Sequence, residues 1–317
     1  MSRETNLAAC ALFLCVENSG IQVNETYRAN EISLFAGTGS SGLDFSYIQK
    51  MLDHSANETT GLFDALRFGE AGISRMNPLV SFKILPNMPV TVGAIETSIK
   101  GRNLIFNPWE GNALMALNEA VHDIVSKCAA VVFCGGSDCK IHSDAFIAFT
   151  EYGLFERSGV VMSEGSAYLS VENGELARDR GAHIYCGIKS IASKSVAPDD
   201  LIGYIPSPEL YTVIMDEALR DAGYSARDID LVIDSNDFNE ANDEAENMAI
   251  ANIFGPVATI SPKKIAGNTF AASGYISLAV AAQIIDMNIA VNAPINRIMI
   301  NSFANGSEKL CIIVESI

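Results

Sequence analysis

The sequence predicts an α/β protein of two similar halves, in which strands and helices alternate to build a layered αβαβα body. Two observations carry this prediction. The order of strand-like and helix-like segments in the first half recurs in the second, and each half contains a helix rich in small residues. We expect an N-terminal half at residues 1–175 and a C-terminal half at residues 176–317, packed as one body.

The first half begins with a helix and continues through four apolar strands. The helix is expected at 4–18, the strands at 30–40, 103–108, 129–138 and 167–173, and a second, small-residue helix begins at 108. Strand segments this apolar are typical of strands buried on both faces, as in parallel sheets between layers of helices.

The second half repeats this order with one additional element at its start. Strands are expected at 182–192, 228–236, 297–306 and 309–316, and helices at 207–223, 240–255 and 269–285. The first of these helices has a Ser-Pro start and a Gly stop, which are strong end signals. Because the first half has no strand before its helix, it is predicted to lack its leading strand, whose place we expect near the middle of the sheet.

Charge and hydropathy exclude several classes of function. The chain has 317 residues, 49% of them hydrophobic, and 21 basic against 38 acidic residues give a net charge of −17. This balance argues against binding nucleic acid, an anionic membrane or, directly, an acidic carrier protein. The uncharged run at 265–285 contains polar residues, and Glu4 interrupts the apolar N-terminus, so we expect two buried helices rather than a membrane span or a signal peptide.

Cysteine and histidine usage predicts a cytoplasmic protein without a metal or cofactor. Seven cysteines are scattered without a CxxC pair, which is typical of a reducing compartment. The four histidines show no metal-ligand spacing.

The stretch NPWEGNALMA, residues 107–116, combines a helix start with two unusual side chains. Asn107 is a suitable N-cap, Pro108 suits the first helical position, and Glu110 stands where a capping-box carboxylate would. Trp109 is the only tryptophan of the chain. A tryptophan and a carboxylate thus stand at the mouth of an otherwise apolar helix.

Seven motifs, in order and with matching spacing, resemble the β-ketoacyl synthase branch of the thiolase-fold enzymes. They are ILPNMPVTVGAI (84–95), GRN (101–103), VVFCGGSD (131–138), GVVMSEGSAYLSVE (159–172), NDEAENMAIANIFG (242–255), SPKKIAGN (261–268) and INSFANGSEKLCIIV (300–314). The resemblance covers almost the whole chain and implies the thiolase fold and a dimer.

The catalytic places of that family are changed in this sequence. The nucleophilic cysteine falls on Glu110, the first catalytic histidine on Ser235 and the second on Asn268, while the gating phenylalanine becomes Asn305. Three charged scaffold residues are retained, namely Lys263, Asp243 and Glu246. Condensation needs a thiolate and two donors for the thioester oxyanion, and the replacements cannot supply that set.

This pattern most resembles the chain length factor, the ketosynthase β subunit of type II polyketide synthases. The resemblance implies a catalytically inactive subunit that forms a heterodimer with an active ketosynthase and shapes the channel that controls polyketide chain length. The acyl carrier protein would be reached only indirectly, through the ketosynthase. Two alternatives stay open: an unusual thioester decarboxylase or hydrolase, and a purely structural pseudo-enzyme partner.

Each altered residue also has a plain structural interpretation. Glu110 is either a capping-box carboxylate or a mimic of the glutamine found in related factors and in decarboxylating ketosynthase domains. Trp109 is either ordinary core or a plug in the degenerate pocket, since the family motif has an alanine there. Ser235 and Asn268 are either harmless replacements or functional ones.

The channel of such a complex is predicted at the dimer interface. NPLVSF, residues 77–82, precedes the loop that lies beside the acyl channel in the synthases, so Val80 is expected either to line the channel or simply to pack at the interface. The run 59–68 is a second candidate lining segment, through Leu62, Phe63 and Leu66.

Overall fold

The computed structural model describes residues 1–39, 48–80, 82, 85–197, 203–290 and 293–317. Ser40, Ser81 and Ile84, which belong to segments quoted above, lie outside the described residues.

The first sheet has four strands in the order β2-β1-β3-β4 within the described part of the chain. These are β1 (Ile32–Thr38), β2 (Asn103–Phe106), β3 (Val131–Cys139) and β4 (Glu164–Glu172). The first three run parallel, and β4 is antiparallel to β3. Every residue of β1 and β3 is buried, as predicted for strands covered on both faces.

The second sheet has five strands in the order β5-β9-β8-β6-β7 among the described residues. These are β5 (Gly187–Ser195), β6 (Leu231–Ile233), β7 (Ala258–Ile260), β8 (Arg297–Ser302) and β9 (Glu308–Glu315). Strands β7, β6 and β8 are parallel, whereas β9 runs antiparallel to both β8 and β5. The short β7 has no counterpart in the sequence prediction, because three residues between a helix and Pro262 carry no periodic signal.

Comparison of the two sheets locates the missing strand and corrects its expected position. The order β4-β3-β1-β2 matches β9-β8-β6-β7, which leaves β5 without an equivalent in the described first sheet. The leading strand β5 lies at an edge, beside the antiparallel β9. The expectation that the missing strand belongs near the middle of the sheet is therefore wrong: its place is the edge beside β4.

The helices form the outer and central layers. They are α1 (Arg3–Ser19), α2 (Gln49–Ser55), α3 (Ala65–Arg67), α4 (Met88–Thr97), α5 (Glu110–Val125), α6 (Ser143–Glu151), α7 (Leu154–Arg157), α8 (Gly174–Asp179), α9 (Pro208–Ala222), α10 (Glu240–Phe254), α11 (Pro262–Ala266) and α12 (Ser273–Asp286). The helix predicted at 269–285 begins with a short 3₁₀ turn at Phe270–Ala272 before α12.

The predicted αβαβα layering is confirmed by the cores. The largest hydrophobic cluster lies between the sheets and combines residues of α5 and α12 with strand residues from both halves. A second cluster packs α9 and α10 on the outer face of the second sheet, and a third packs α1 and α4 against the first. Within the described part of the chain, no helix is long and apolar enough to cross a bilayer.

Small residues let the two central helices approach the strands and each other closely. A Cβ on Gly37 of β1 would lie 2.1 Å from the Cβ of Ala113 in α5. A Cβ on Gly274 of α12 would lie 2.5 Å from a methyl carbon of Leu114. These contacts fix the start of α5, and with it Glu110, between the two halves.

Candidate functional site

The candidate site is built around the first residue of α5. The helix begins at Glu110, and its N-cap is Trp109 with φ 71° and ψ 162°, a left-handed backbone conformation unusual for a large side chain. Asn107 does not cap the helix, because its amide nitrogen donates to the Thr38 carbonyl at 2.6 Å. The predicted capping box is therefore wrong: Glu110 occupies the first helical position rather than the third.

The Glu110 carboxylate forms a buried ion pair with a lysine from the other half of the chain. Lys263 Nζ lies 2.5 Å from Glu110 Oε2, and the two side chains are only 4% and 2% exposed. The same ammonium donates to the Ser235 carbonyl at 2.7 Å. Lys263 thus joins Glu110 to Ser235, the two residues that the sequence resemblance matches to the family's cysteine and first histidine.

Neighbouring charges favour the charged form of Lys263, and the helix dipole favours the charged form of Glu110. Burial acts to lower the pKa of Lys263, but the carboxylates of Glu110 and Asp237 outweigh it, so that its pKa is raised. The helix dipole places positive potential at the start of α5, where the Glu110 carboxylate lies. The lysine is therefore charged, and the start of α5 is occupied by a buried ion pair.

The two residues that the sequence resemblance matches to the catalytic histidines are held by hydrogen bonds with the backbone. Ser235 Oγ accepts from the Phe303 amide at 2.8 Å, and its own amide donates to both carboxylate oxygens of Glu246 at 2.9 and 3.0 Å. Asn268 Oδ1 accepts from the Phe270 amide at 2.8 Å. Both side chains thus stabilise turns at the strand and helix ends around the site.

Buried acids surround the ion pair on the second half. Asp237 is fully buried, and its amide donates to Asp243 Oδ1 at 3.1 Å. Burial raises the pKa of Asp237 to about 7 and that of Glu246 to about 8. The burial of Asp237 could not be predicted from the sequence, because local polarity does not reveal it.

Lys309 is a second buried lysine that the sequence analysis missed. Its side chain is 0% exposed, and Nζ donates to the carbonyls of Ala304 and Gly203. Burial lowers its pKa to about 8, although the charges of Asp237 and Glu110 act in the opposite direction. A single lysine in an apolar strand gives no sequence signal that its head group is buried.

Trp109 is packed within an aromatic cluster beside the ion pair. Its ring centroid lies 6.1 Å from that of Phe149 and 6.2 Å from that of Phe270, which are themselves 5.4 Å apart. Gly306 approaches so closely that an added Cβ would lie 2.9 Å from the Trp109 Cβ. Asn305, which the sequence resemblance matches to the gating phenylalanine, is buried in the same loop.

The predicted channel residues fall into two groups. Val80 is 5% exposed in a 3₁₀ turn, while its neighbour Leu79 is largely exposed. The side chains of Leu62, Phe63 and Leu66 are all exposed, and the exposed fraction of Leu62 is 69%. Among the described residues, no group of three or more His, Cys, Asp or Glu side chains is arranged to hold a metal ion.

Family models match this chain over most of its length. A model described as "Beta-ketoacyl synthase, N-terminal domain" matches residues 1–177, and one described as "Beta-ketoacyl synthase, C-terminal domain" matches residues 185–294. The chain therefore belongs to the β-ketoacyl synthase family.

Curated relatives include two 3-oxoacyl-[acyl-carrier-protein] synthases 2. That of Synechocystis sp. is 26% identical over 296 residues, which cover 87% of this chain and 67% of the relative. That of Coxiella burnetii is 25% identical over 299 residues, which cover 86% and 67%.

Solved structures give the same fold. The ishigamide ketosynthase/chain length factor matches with a TM-score of 0.82 and 19% identity, covering 100% of this chain and 83% of that one. A type II PKS acyl-carrier protein in complex with its ketosynthase bound to the hexaketide matches with a TM-score of 0.84 and 17% identity, covering 99% and 85%. At these identities the match shows the thiolase-like fold.

Proposed function

We propose that this chain is a non-catalytic ketosynthase-like subunit, a chain length factor, that pairs with an active ketosynthase and shapes the channel in which a polyketide grows. One observation carries the proposal: Glu110, which the sequence resemblance matches to the family's nucleophile, forms a buried ion pair with Lys263. The structural neighbours include a ketosynthase/chain length factor, which is consistent with this assignment.

The ion pair argues against acyl transfer at this site. A carboxylate is a poor acyl acceptor, and here its charge is already satisfied by an ammonium 2.5 Å away. Ser235 Oγ accepts a backbone hydrogen bond, and Asn268 Oδ1 does the same. The two catalytic imidazoles that a condensing site would use as donors for a thioester oxyanion or enolate are thus replaced by shorter side chains that accept backbone hydrogen bonds.

Exposed apolar side chains support the proposal that this chain binds a partner subunit. Among the described residues 62–95, eight large apolar side chains are exposed, and we call this region the 62–95 surface. They are Leu62, Phe63, Leu66, Ile73, Leu79, Phe82, Leu85 and Ile95. Concentrated apolar exposure of this kind marks interaction surfaces, and obligate interfaces typically bury about 2,000 Å² or more.

The edge strand β2 is a second feature that favours pairing with another chain. Strand β2 is the outermost strand of the first sheet on that side, and Asn103 at its start is exposed. Helix α4, which carries Ile95, packs against β2. An open strand edge beside apolar side chains favours pairing with another chain.

Channel lining is the finer part of the proposal. Leu62, Phe63 and Leu66 project from the 62–95 surface and would meet the partner directly. Val80 is buried, so it would influence the channel by its volume rather than by direct contact. The seven cysteines are unpaired, which suits a cytoplasmic enzyme complex.

The test is reconstitution of the intact ketosynthase and its acyl carrier protein with and without this chain, followed by mass spectrometry of the products. The proposal expects a heterodimer on gel filtration and products of defined length only when this chain is present. Release of CO₂ or free acid from malonyl thioesters by this chain alone would establish the decarboxylase or hydrolase alternative instead. A complex whose products do not depend on this chain would leave only a structural role.

A further inference from the structure

The loop between β8 and β9 is enclosed between two other segments of the chain. On one side, Gly306 touches Trp109, since an added Cβ would lie 2.9 Å from the Trp109 Cβ. On the other side, an added Cβ on Gly203 would lie 2.7 Å from the Gly306 amide nitrogen. Both glycines have positive φ, +102° and +74°, so the close stacking depends on their lack of a side chain.

One buried side chain ties the loop to Gly203, on the side of the loop away from Trp109. Lys309 lies in β9, just after the loop, and its ammonium donates to the Ala304 carbonyl within the loop. The same ammonium donates at 3.4 Å to the carbonyl of Gly203, in the segment that covers the loop. Charge-assisted bonds to two carbonyls are stronger than neutral ones and hold both segments at a fixed separation.

A lysine is a costly choice for this position. Its side chain is fully buried, and burial lowers its pKa to about 8. The charges of Asp237 and Glu110 favour the ammonium, whereas Lys263 opposes it. Since an apolar residue of similar length would avoid this desolvation cost, the two carbonyl contacts are the specific gain from a lysine here.

We propose that Lys309 is a latch: its ammonium holds residues 304–306 and Gly203 together against Trp109. The latch keeps the degenerate pocket of this subunit shut. The proposal deepens the proposed function and rests on it in one respect: a subunit that does not turn over has no need to open its pocket. With the pocket shut, a growing acyl chain has no room here and is confined to the channel at the interface.

The experiment compares Lys309→Met with the parent chain in the complex with its ketosynthase. Hydrogen exchange, read by mass spectrometry on peptides of this chain, reports the amides of residues 303–307. Acrylamide quenching reports Trp109, whose emission is isolated by subtracting a complex that carries Trp109→Phe. We expect exchange at 303–307 to rise about tenfold or more and Trp109 quenching to increase.

The matched control is Lys194→Met. Lys194 lies directly opposite Lys309 in the β5–β9 pair, but it is partly exposed and pairs with Glu217. We expect it to leave both readouts unchanged. Equal exchange and quenching in Lys309→Met and the parent would overturn the latch, whatever the products of the complex.

A second variant keeps the proposal testable if Lys309→Met does not fold. Gly203→Ala leaves Lys309 intact but places a Cβ against the Gly306 amide at a φ that alanine rarely adopts. It should loosen the same amides from the opposite side. Unchanged protection at 303–307 in a folded Gly203→Ala complex would contradict the stacked arrangement on which the latch depends.

Discussion

The buried pair Glu110–Lys263 makes a strong quantitative prediction. Removing one member of a buried ion pair typically costs about 3–5 kcal/mol, because the other charge is left without its partner. In Glu110→Ala, Lys263 still faces Asp237, which also raises its pKa, so we expect the lower figure, about 3 kcal/mol. In Lys263→Met, Glu110 and Asp237 both lose their cation, so we expect about 4–5 kcal/mol.

The double variant should be much less unstable than the sum of the single ones, with a coupling of about 2 kcal/mol or more. Pulse proteolysis in urea measures the urea concentration at which half of this chain is unfolded, from the intensity of its gel band in digests of the complex. The matched control is the partly exposed pair Lys194–Glu217, for which we expect a coupling below about 1 kcal/mol. A coupling at Glu110–Lys263 no larger than that of the control would refute the argument that the two buried charges stabilise each other.

Three further predictions follow from the site and the surface. Glu110→Cys places a thiol at a helix start beside Lys263 but should form no condensation product, because Ser235 and Asn268 are matched to the family's two catalytic histidines. Turnover is measured with acyl and malonyl carrier-protein thioesters, and a rate near that of the ketosynthase would contradict this expectation. Burial raises the pKa of Asp237 to about 7, so the folded protein keeps a proton on this carboxyl that the unfolded chain releases near pH 4. The free energy of unfolding should therefore fall as pH rises from about 4 to 7. The urea midpoint of Asp237→Asn should fall less over the same range. Val80→Phe should shift the products of an intact complex to shorter chains by mass spectrometry; unchanged lengths would move the search to Leu62, Phe63 and Leu66.

The alternation of apolar strands with small-residue helices predicted the two halves and the αβαβα layers, because both patterns depend on local periodicity. The position of the missing strand could not be obtained in this way. Chain order does not reveal strand order, and β5 lies at an edge beside β9 although it is the first strand of its half. Only the pairing of the strands corrects the expectation of a central place.

The start of α5 shows why a local rule can fail. The letters NPWE satisfy the capping-box pattern, yet the Glu110 side chain turns to Lys263, which no window of neighbouring residues contains. A charged partner from the other half outweighs a capping bond that is worth about 1 kcal/mol. Lys309 was missed for a related reason, since its two carbonyl partners are brought together only by the tertiary fold.

The most direct test of the central claim is the acylation state of each subunit. The heterodimer is incubated with acyl and malonyl carrier-protein thioesters, and the reaction is stopped with acid. Intact-protein mass spectrometry then gives the mass of each subunit. We expect an acyl adduct on the ketosynthase alone and this chain at its unmodified mass, because Glu110 is held in an ion pair with Lys263 and is a poor acyl acceptor. An acyl adduct on this chain that forms and disappears at the rate of product formation would contradict it.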